Sequence, residues 1–326
     1  MINAGIVGLG WWGKVLVEAV QGKSDRIRFV AGATRTPAKA ADFATKQNFP
    51  LVDSWQALLA DKSVDALVFA TPHSQHKEQV IATAKAGKHI FVEKPLTLTK
   101  ADAEAAMAAV AKAGVGWGMG FNRRFAPAVA ELRKRLADGS FGTLEHVEAT
   151  MSAPAGLSLP AEQWRANAEE TPVGGLTPMG VHLIDLMIDL FGEIDEVYCQ
   201  SFRRAVPNNT DDTSSMLFRM KSGMSGYMAN MLATAPSCRF AVYGSKAMAS
   251  LQQATLQDYV FQPVGGEREA KDIGGVDSVR AELECFADAC AGKGKFPVTP
   301  AQAIHGVAVQ EAIIRSSKSH RPEKVG

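Results

Sequence analysis

Ala4-Gly5-Ile6-Val7-Gly8-Leu9-Gly10-Trp11-Trp12-Gly13 lies at the start of the chain. A short apolar run enters a GxGxxG turn, and a helical pattern follows at residues 11–21. That order is the context a dinucleotide-binding turn requires. Gly8 permits the tight turn, and Gly10 lets the backbone approach a pyrophosphate. Gly13 lets the helix pack close to the strand. The helix start then presents unpaired N–H groups and a partial positive charge to the phosphates. The plain alternative is a structural turn of similar sequence.

Outward from this turn the same alternation repeats. Apolar runs at Ala4–Val7, Ile27–Ala33, Ala66–Ala70, His89–Val92 and Val115–Met119 are separated by helical patterns at 11–21, 37–46, 54–61, 74–86 and 99–112. Apolar strands joined by crossover helices predict a parallel sheet covered on both faces. The first 121 residues therefore read as a Rossmann-type dinucleotide-binding domain. Residues 122–326 read as an α+β domain with a large, mostly antiparallel open sheet, giving an α/β chain overall. In that half, helices are expected at 126–136, 181–191, 277–291 and 300–318. A strand is expected at 143–152, and short strands with turns run from 197 to 261. Lys221-Ser222-Gly223 reads as a hairpin turn. The C-terminal helices can pack back on the first domain. Lys318–Gly326 is polar and charged and is expected to fray.

The 326 residues carry 35 Lys+Arg against 34 Asp+Glu. No basic excess points to nucleic acid. No apolar run is long enough for a membrane span, and the N-terminus lacks a basic leader region. Cys199, Cys238, Cys285 and Cys290 form no CxxC pair or Cys/His set, so no metal site is expected. Free thiols fit a cytoplasmic protein.

The end of the second strand distinguishes NAD from NADP. An NAD site usually places Asp or Glu there to hold the ribose 2′-hydroxyl. This chain has Thr34-Arg35-Thr36, with no carboxylate before Asp42. The absence of an acid removes repulsion against a 2′-phosphate, and Arg35 offers it a fork of donors. The reading is NADP(H), with NAD as the alternative if Arg35 is a solvated loop residue.

Three further segments are Thr71-Pro72-His73-Ser74-Gln75-His76 with Glu93-Lys94-Pro95, then Gly120-Phe121-Asn122-Arg123-Arg124-Phe125, then Gly174-Gly175-Leu176-Thr177-Pro178-Met179-Gly180-Val181-His182-Leu183-Ile184-Asp185. With the glycine turn, they resemble the glucose–fructose oxidoreductase/inositol dehydrogenase (Gfo/Idh/MocA) family in order and spacing. The resemblance implies hydride transfer between a nicotinamide and a sugar, polyol or related hydroxy/keto compound. It also implies a homodimer or homotetramer.

Lys94 follows an apolar strand, where a partly buried amine near a cationic ring can exchange a proton with a substrate hydroxyl. Its alternative is a surface lysine paired with Glu93. The resemblance makes Lys94 and His182 the catalytic candidates, and it often places a cis peptide before Pro95. Cofactor contacts are expected from Gly8, Gly10, Trp11, Trp12, Gly13, Thr34, Arg35, Thr36, Thr71, Pro72, His73, His76, Glu93, Lys94 and Asn122. Thr71, Pro72 and His76 match positions lining the nicotinamide–ribose region. Substrate contacts are expected from Arg123, Trp164, Arg165, Thr177, His182 and Asp185. Asp185 can serve behind His182, or be a solvated or capping charge. Many members carry Asp four residues before the histidine, where this chain has Pro178. Two other functions stay open: glycoside cleavage with tightly held NAD(H), and dinucleotide binding without catalysis.

Overall fold

The computed structural model describes residues 1–326, which divide into two compact units. The first comprises Met1–Asn122 and Asp277–Ile304; the second comprises Arg123–Val276 and His305–Gly326.

In the first unit, strands β1 (Ile2–Val7), β2 (Ile27–Ala33), β3 (Leu51–Val52), β4 (Ala66–Phe69), β5 (His89–Val92) and β6 (Trp117–Met119) form a sheet of order β3-β2-β1-β4-β5-β6. Every pairing is parallel. The crossovers are α1 (Trp11–Val20), α2 (Ala41–Lys46), α3 (Trp55–Ala60), α4 (His76–Lys85) and α5 (Lys100–Ala113). Sequence chemistry marks their ends. Ser54 caps α3 by accepting from the Ala57 amide at 3.2 Å, and Thr99 caps α5 by accepting from Asp102. Gly114 closes α5 in the left-handed conformation. β4 is buried throughout, as a doubly covered central strand requires.

Helix Ser278–Cys290 also belongs to this unit. Its Phe286 meets Phe91 of β5 edge-on, with ring centroids 5.5 Å apart. Gly118 leaves space there: a Cβ would press on both rings.

The second unit is built on a nine-stranded sheet. Its strands are β7 (Leu144–Ser152), β8 (Ile194–Phe202), β9 (Thr213–Met220), β10 (Ser225–Met231), β11 (Ser237–Gly244), β12 (Ala247–Gln252), β13 (Asp258–Pro263), β14 (Glu269–Asp272) and β15 (Glu323–Lys324). The order is β14-β13-β12-β11-β7-β10-β9-β8-β15, and only β7–β10 is parallel. Met216, Phe218, Met220, Met228, Phe240 and Val242 are buried at alternating positions. Helices α6 (Pro127–Ala137) and α7 (Gly180–Phe191) pack on this sheet, and Phe191 stacks on Phe240.

Several expectations need correction. The C-terminal tail does not fray. Glu323–Lys324 forms β15 against β8, Val325 donates to the Asp195 carbonyl at 3.0 Å, and the Lys324 ammonium pairs with Asp195 at 2.8 Å. Its charges dock on complementary charges instead of keeping the segment in solvent. Strand β3 was not anticipated, because two residues carry no period. The helix expected at 37–46 is a 3₁₀ turn at Pro37–Lys39 followed by α2. The helix expected at 74–86 likewise begins as a 3₁₀ turn at His73–Gln75. The segment between β7 and α7, which carries Pro154, Pro160, Pro172 and Pro178, contains short 3₁₀ turns at Ala155–Ser158, Trp164–Ala166 and Gly174–Leu176.

Candidate active site

All strands of the first unit run the same way, so their following loops gather at one edge of the sheet. β1 and β4 diverge there in connection, the crevice where such sheets take ligands. The glycine turn is built for close approach. Gly8 has φ of +93°, and a Cβ on it would strike the Ala70 carbonyl. A Cβ on Gly13 would strike the Gly8 carbonyl. Gly10 faces open space. It starts α1 with no side-chain cap and no acid in the first turn. The first N–H groups of α1 thus face a cradle that no side chain of that turn caps, which fits a dinucleotide pyrophosphate.

Next to this turn, Trp12 and Trp11 part company. Trp11 is 75% exposed, whereas the Trp12 indole N–H donates to the Glu93 carboxylate at 2.5 Å. Glu93 is buried, and its second oxygen accepts from the Lys94 amide at 3.2 Å. A Cβ on Gly120 would collide with this carboxylate, so Gly120 is what lets it lie against the end of β6. Lys94 is half-buried, and the Lys94–Pro95 peptide is cis.

His76 is fully buried. Its Nδ1 lies 2.9 Å from the Pro95 carbonyl oxygen and its Nε2 lies 3.2 Å from that of Thr71. The ring ties the loops after β4 and β5 together. The Thr71 hydroxyl donates to Gln79, and His73 is buried. Asn122 donates to the Ser278 hydroxyl at 3.2 Å. Arg35 and Thr36 are exposed just beyond β2, with Thr34 half-buried.

In the second unit, His182 lies in the first turn of α7 and is buried at 8% exposure. Asp185, one turn on, corrects the reading of a solvated or capping charge. It accepts two hydrogen bonds from Arg124, at 2.8 and 2.6 Å. Arg124 also reaches Asp189, which pairs with Arg133 at the surface. Burial raises the Asp185 carboxyl to about 6 against the pull of Arg124. Arg123 donates to the Ala254 carbonyl at 2.6 Å, and desolvation lowers its pKa. Thr177 is fully buried ahead of α7, and the Arg165 guanidinium stacks 4.2 Å from the Trp164 ring centroid.

Asn230 was missed by the sequence reading. It is fully buried on β10, and a Cβ on Gly180 would strike its side-chain oxygen. The available signal was a polar residue on the inward face shared with Met228.

Residues 2–121 match the family model described as oxidoreductase family, NAD-binding Rossmann fold. Residues 129–250 match the model of the GFO/IDH/MocA C-terminal domain. The chain belongs to the Gfo/Idh/MocA family. It is an oxidoreductase with an NAD-binding Rossmann domain. Among its relatives, the inositol 2-dehydrogenase of Rhizobium meliloti is 27% identical over 98% of each chain. The trans-1,2-dihydrobenzene-1,2-diol dehydrogenase of Mus musculus is 28% identical over 76% of this chain and 72% of its own. In fold, the chain resembles a levoglucosan dehydrogenase solved with NADH and L-sorbose. The TM-score is 0.89 at 22% identity, with 100% of this chain and 99% of that one covered.

No helix is long and apolar enough to cross a membrane. The four cysteines are free thiols, and burial pushes those of Cys199 and Cys290 up to about 12. Neither is poised as a thiolate nucleophile.

Proposed function

We propose that this Gfo/Idh/MocA oxidoreductase is an NADP(H)-preferring dehydrogenase acting on a CH–OH group of a sugar, polyol or related hydroxy/keto compound. The relatives named above support the substrate class: one acts on inositol and one on a dihydrodiol. The observation that carries the cofactor preference is the Thr34-Arg35-Thr36 segment after β2, with Arg35 exposed and no carboxylate. There an arginine fork can meet a 2′-phosphate, and no acid repels it.

In this reading the α1 N-terminus and Gly8, Gly10 and Gly13 hold the pyrophosphate. Thr71, Pro72, His73, His76 and Asn122 shape the edge beside it, with Glu93 behind Lys94. A bound nicotinamide supplies the hydride acceptor or donor. Lys94 takes the proton from the substrate hydroxyl in oxidation and returns it in reduction. His182, as a neutral imidazole, orients the hydroxyl or assists the proton. Arg123, Trp164, Arg165 and Thr177 contact the substrate, with Asp185 held by Arg124 one turn of α7 after His182. Pro178 carries no charge, so hydroxyl binding relies on neutral donors and acceptors at that point. The protein is cytoplasmic and assembles as a homodimer or homotetramer.

The test is titration with NADPH and NADH, followed by a panel of polyols, sugars and keto-sugars. Tighter NADPH binding and net change in reduced cofactor support the reading. Product without such change would instead indicate internally recycled NAD(H). Binding without turnover would indicate a non-catalytic protein.

A further inference from the structure

Glu93 and Trp12, each expected to contact the cofactor, are also bonded to each other. Glu93 is 5% exposed, and a buried carboxylate is costly unless hydrogen bonds replace its water. The Trp12 indole supplies one such bond at 2.5 Å. An indole nitrogen only donates, so this contact needs an acceptor and gains from its negative charge. The other carboxylate oxygen takes the Lys94 amide. Pro95, the next residue, has its carbonyl against the His76 ring. The Lys94 backbone is therefore held on both sides: Glu93 before it and His76 beyond it.

Trp12 itself lies inside GxGxxG, in the first turn of α1. That turn is the part of the chain whose N–H groups face a pyrophosphate. The glycine turn and the lysine loop are thus joined by one side-chain bond. Gly120 leaves the carboxylate the space it needs, because any side chain there would displace it.

We propose that Trp12 is a positioning residue for Lys94, acting through its hydrogen bond to the Glu93 carboxylate, so that the pyrophosphate turn and the proton-transfer loop hold a single geometry. This rests on the catalytic reading of Lys94.

The test is a double-mutant cycle of Trp12→Phe and Glu93→Gln, read in two ways. In the cofactor-free protein, the Trp12 indole N–H resonance is assigned by its loss in Trp12→Phe. It is expected to move upfield in Glu93→Gln. In the active enzyme, Trp12→Phe is expected to lower kcat/KM by about tenfold, mostly through kcat. In the Glu93→Gln background, Trp12→Phe should then do little more. An indole resonance unmoved by Glu93→Gln overturns the proposal. So does an equal effect of Trp12→Phe in both backgrounds, which would mark simple packing. Lys94→Ala separates the two levels. If it retains full kcat, the catalytic reading fails and this inference fails with it. If it abolishes turnover while Trp12→Phe leaves kcat unchanged, only this inference fails.

Discussion

Arg124 grips Asp185 through two hydrogen bonds, Nε to Oδ2 at 2.8 Å and Nη2 to Oδ1 at 2.6 Å, with both side chains buried. Burial places the Asp185 carboxyl at about 6, above its ordinary 3.8. Between those values the folded chain binds a proton that the unfolded chain does not. Stability from this group therefore rises as pH falls from 7 through 6, is fully present below 3.8, and is lost again as pH rises. Urea unfolding of wild type and Asp185→Asn across pH 4–7 should show the wild type gaining stability relative to the variant toward pH 4. A difference independent of pH would remove Asp185 as the titrating group.

Removing the Lys94 amine should cut kcat/KM by about 10²–10⁴-fold, the usual size of a general acid–base contribution. Cofactor affinity, followed by NADPH fluorescence, should fall far less than kcat/KM in Lys94→Ala. A loss of binding as large as the loss of kcat/KM would mean that the lysine acts only by holding the cofactor.

Arg35→Ala should weaken NADPH binding by about 10–100-fold, the value of one or two charge-assisted hydrogen bonds. NADH binding should hardly change. Isothermal titration with both cofactors measures this, and equal losses for the two would show Arg35 touching a part they share.

Gly180 starts α7 where Asn230 leaves no space for a side chain. Gly180→Ala should therefore destabilise by about 1–3 kcal/mol, as overpacking does. Asn230→Ala should relieve it, giving a coupling of about 1 kcal/mol or more in denaturant unfolding. Additive losses would show that α7 shifts to accommodate the methyl group.

The dinucleotide-binding half was legible because its physics is local. An apolar run, three spaced glycines and a helix pattern follow one another directly between Ala4 and Gln21, and Ile27–Ala33 and His89–Val92 end where the sequence implies. The motif positions that gather at one sheet edge were also legible, since parallel strands place their following loops together. What stayed hidden depends on partners far apart in sequence. Nothing at Asp185 announces Arg124, sixty-one residues earlier, and nothing at Trp12 announces Glu93, eighty-one residues later. The docked tail was misread for a related reason: Lys324 looks solvated until Asp195 is placed beside it.

The nine-stranded sheet ends in β14, Glu269-Ala270-Lys271-Asp272, on one side and β15, Glu323-Lys324, on the other. Both borders are short and mostly charged. A strand from another molecule that tried to extend the ladder would have to desolvate those charges for few main-chain bonds. Growth by lateral strand addition, the route to fibrous aggregates, is thereby blocked at both ends. Any association between copies of this sheet is directed to its broad face.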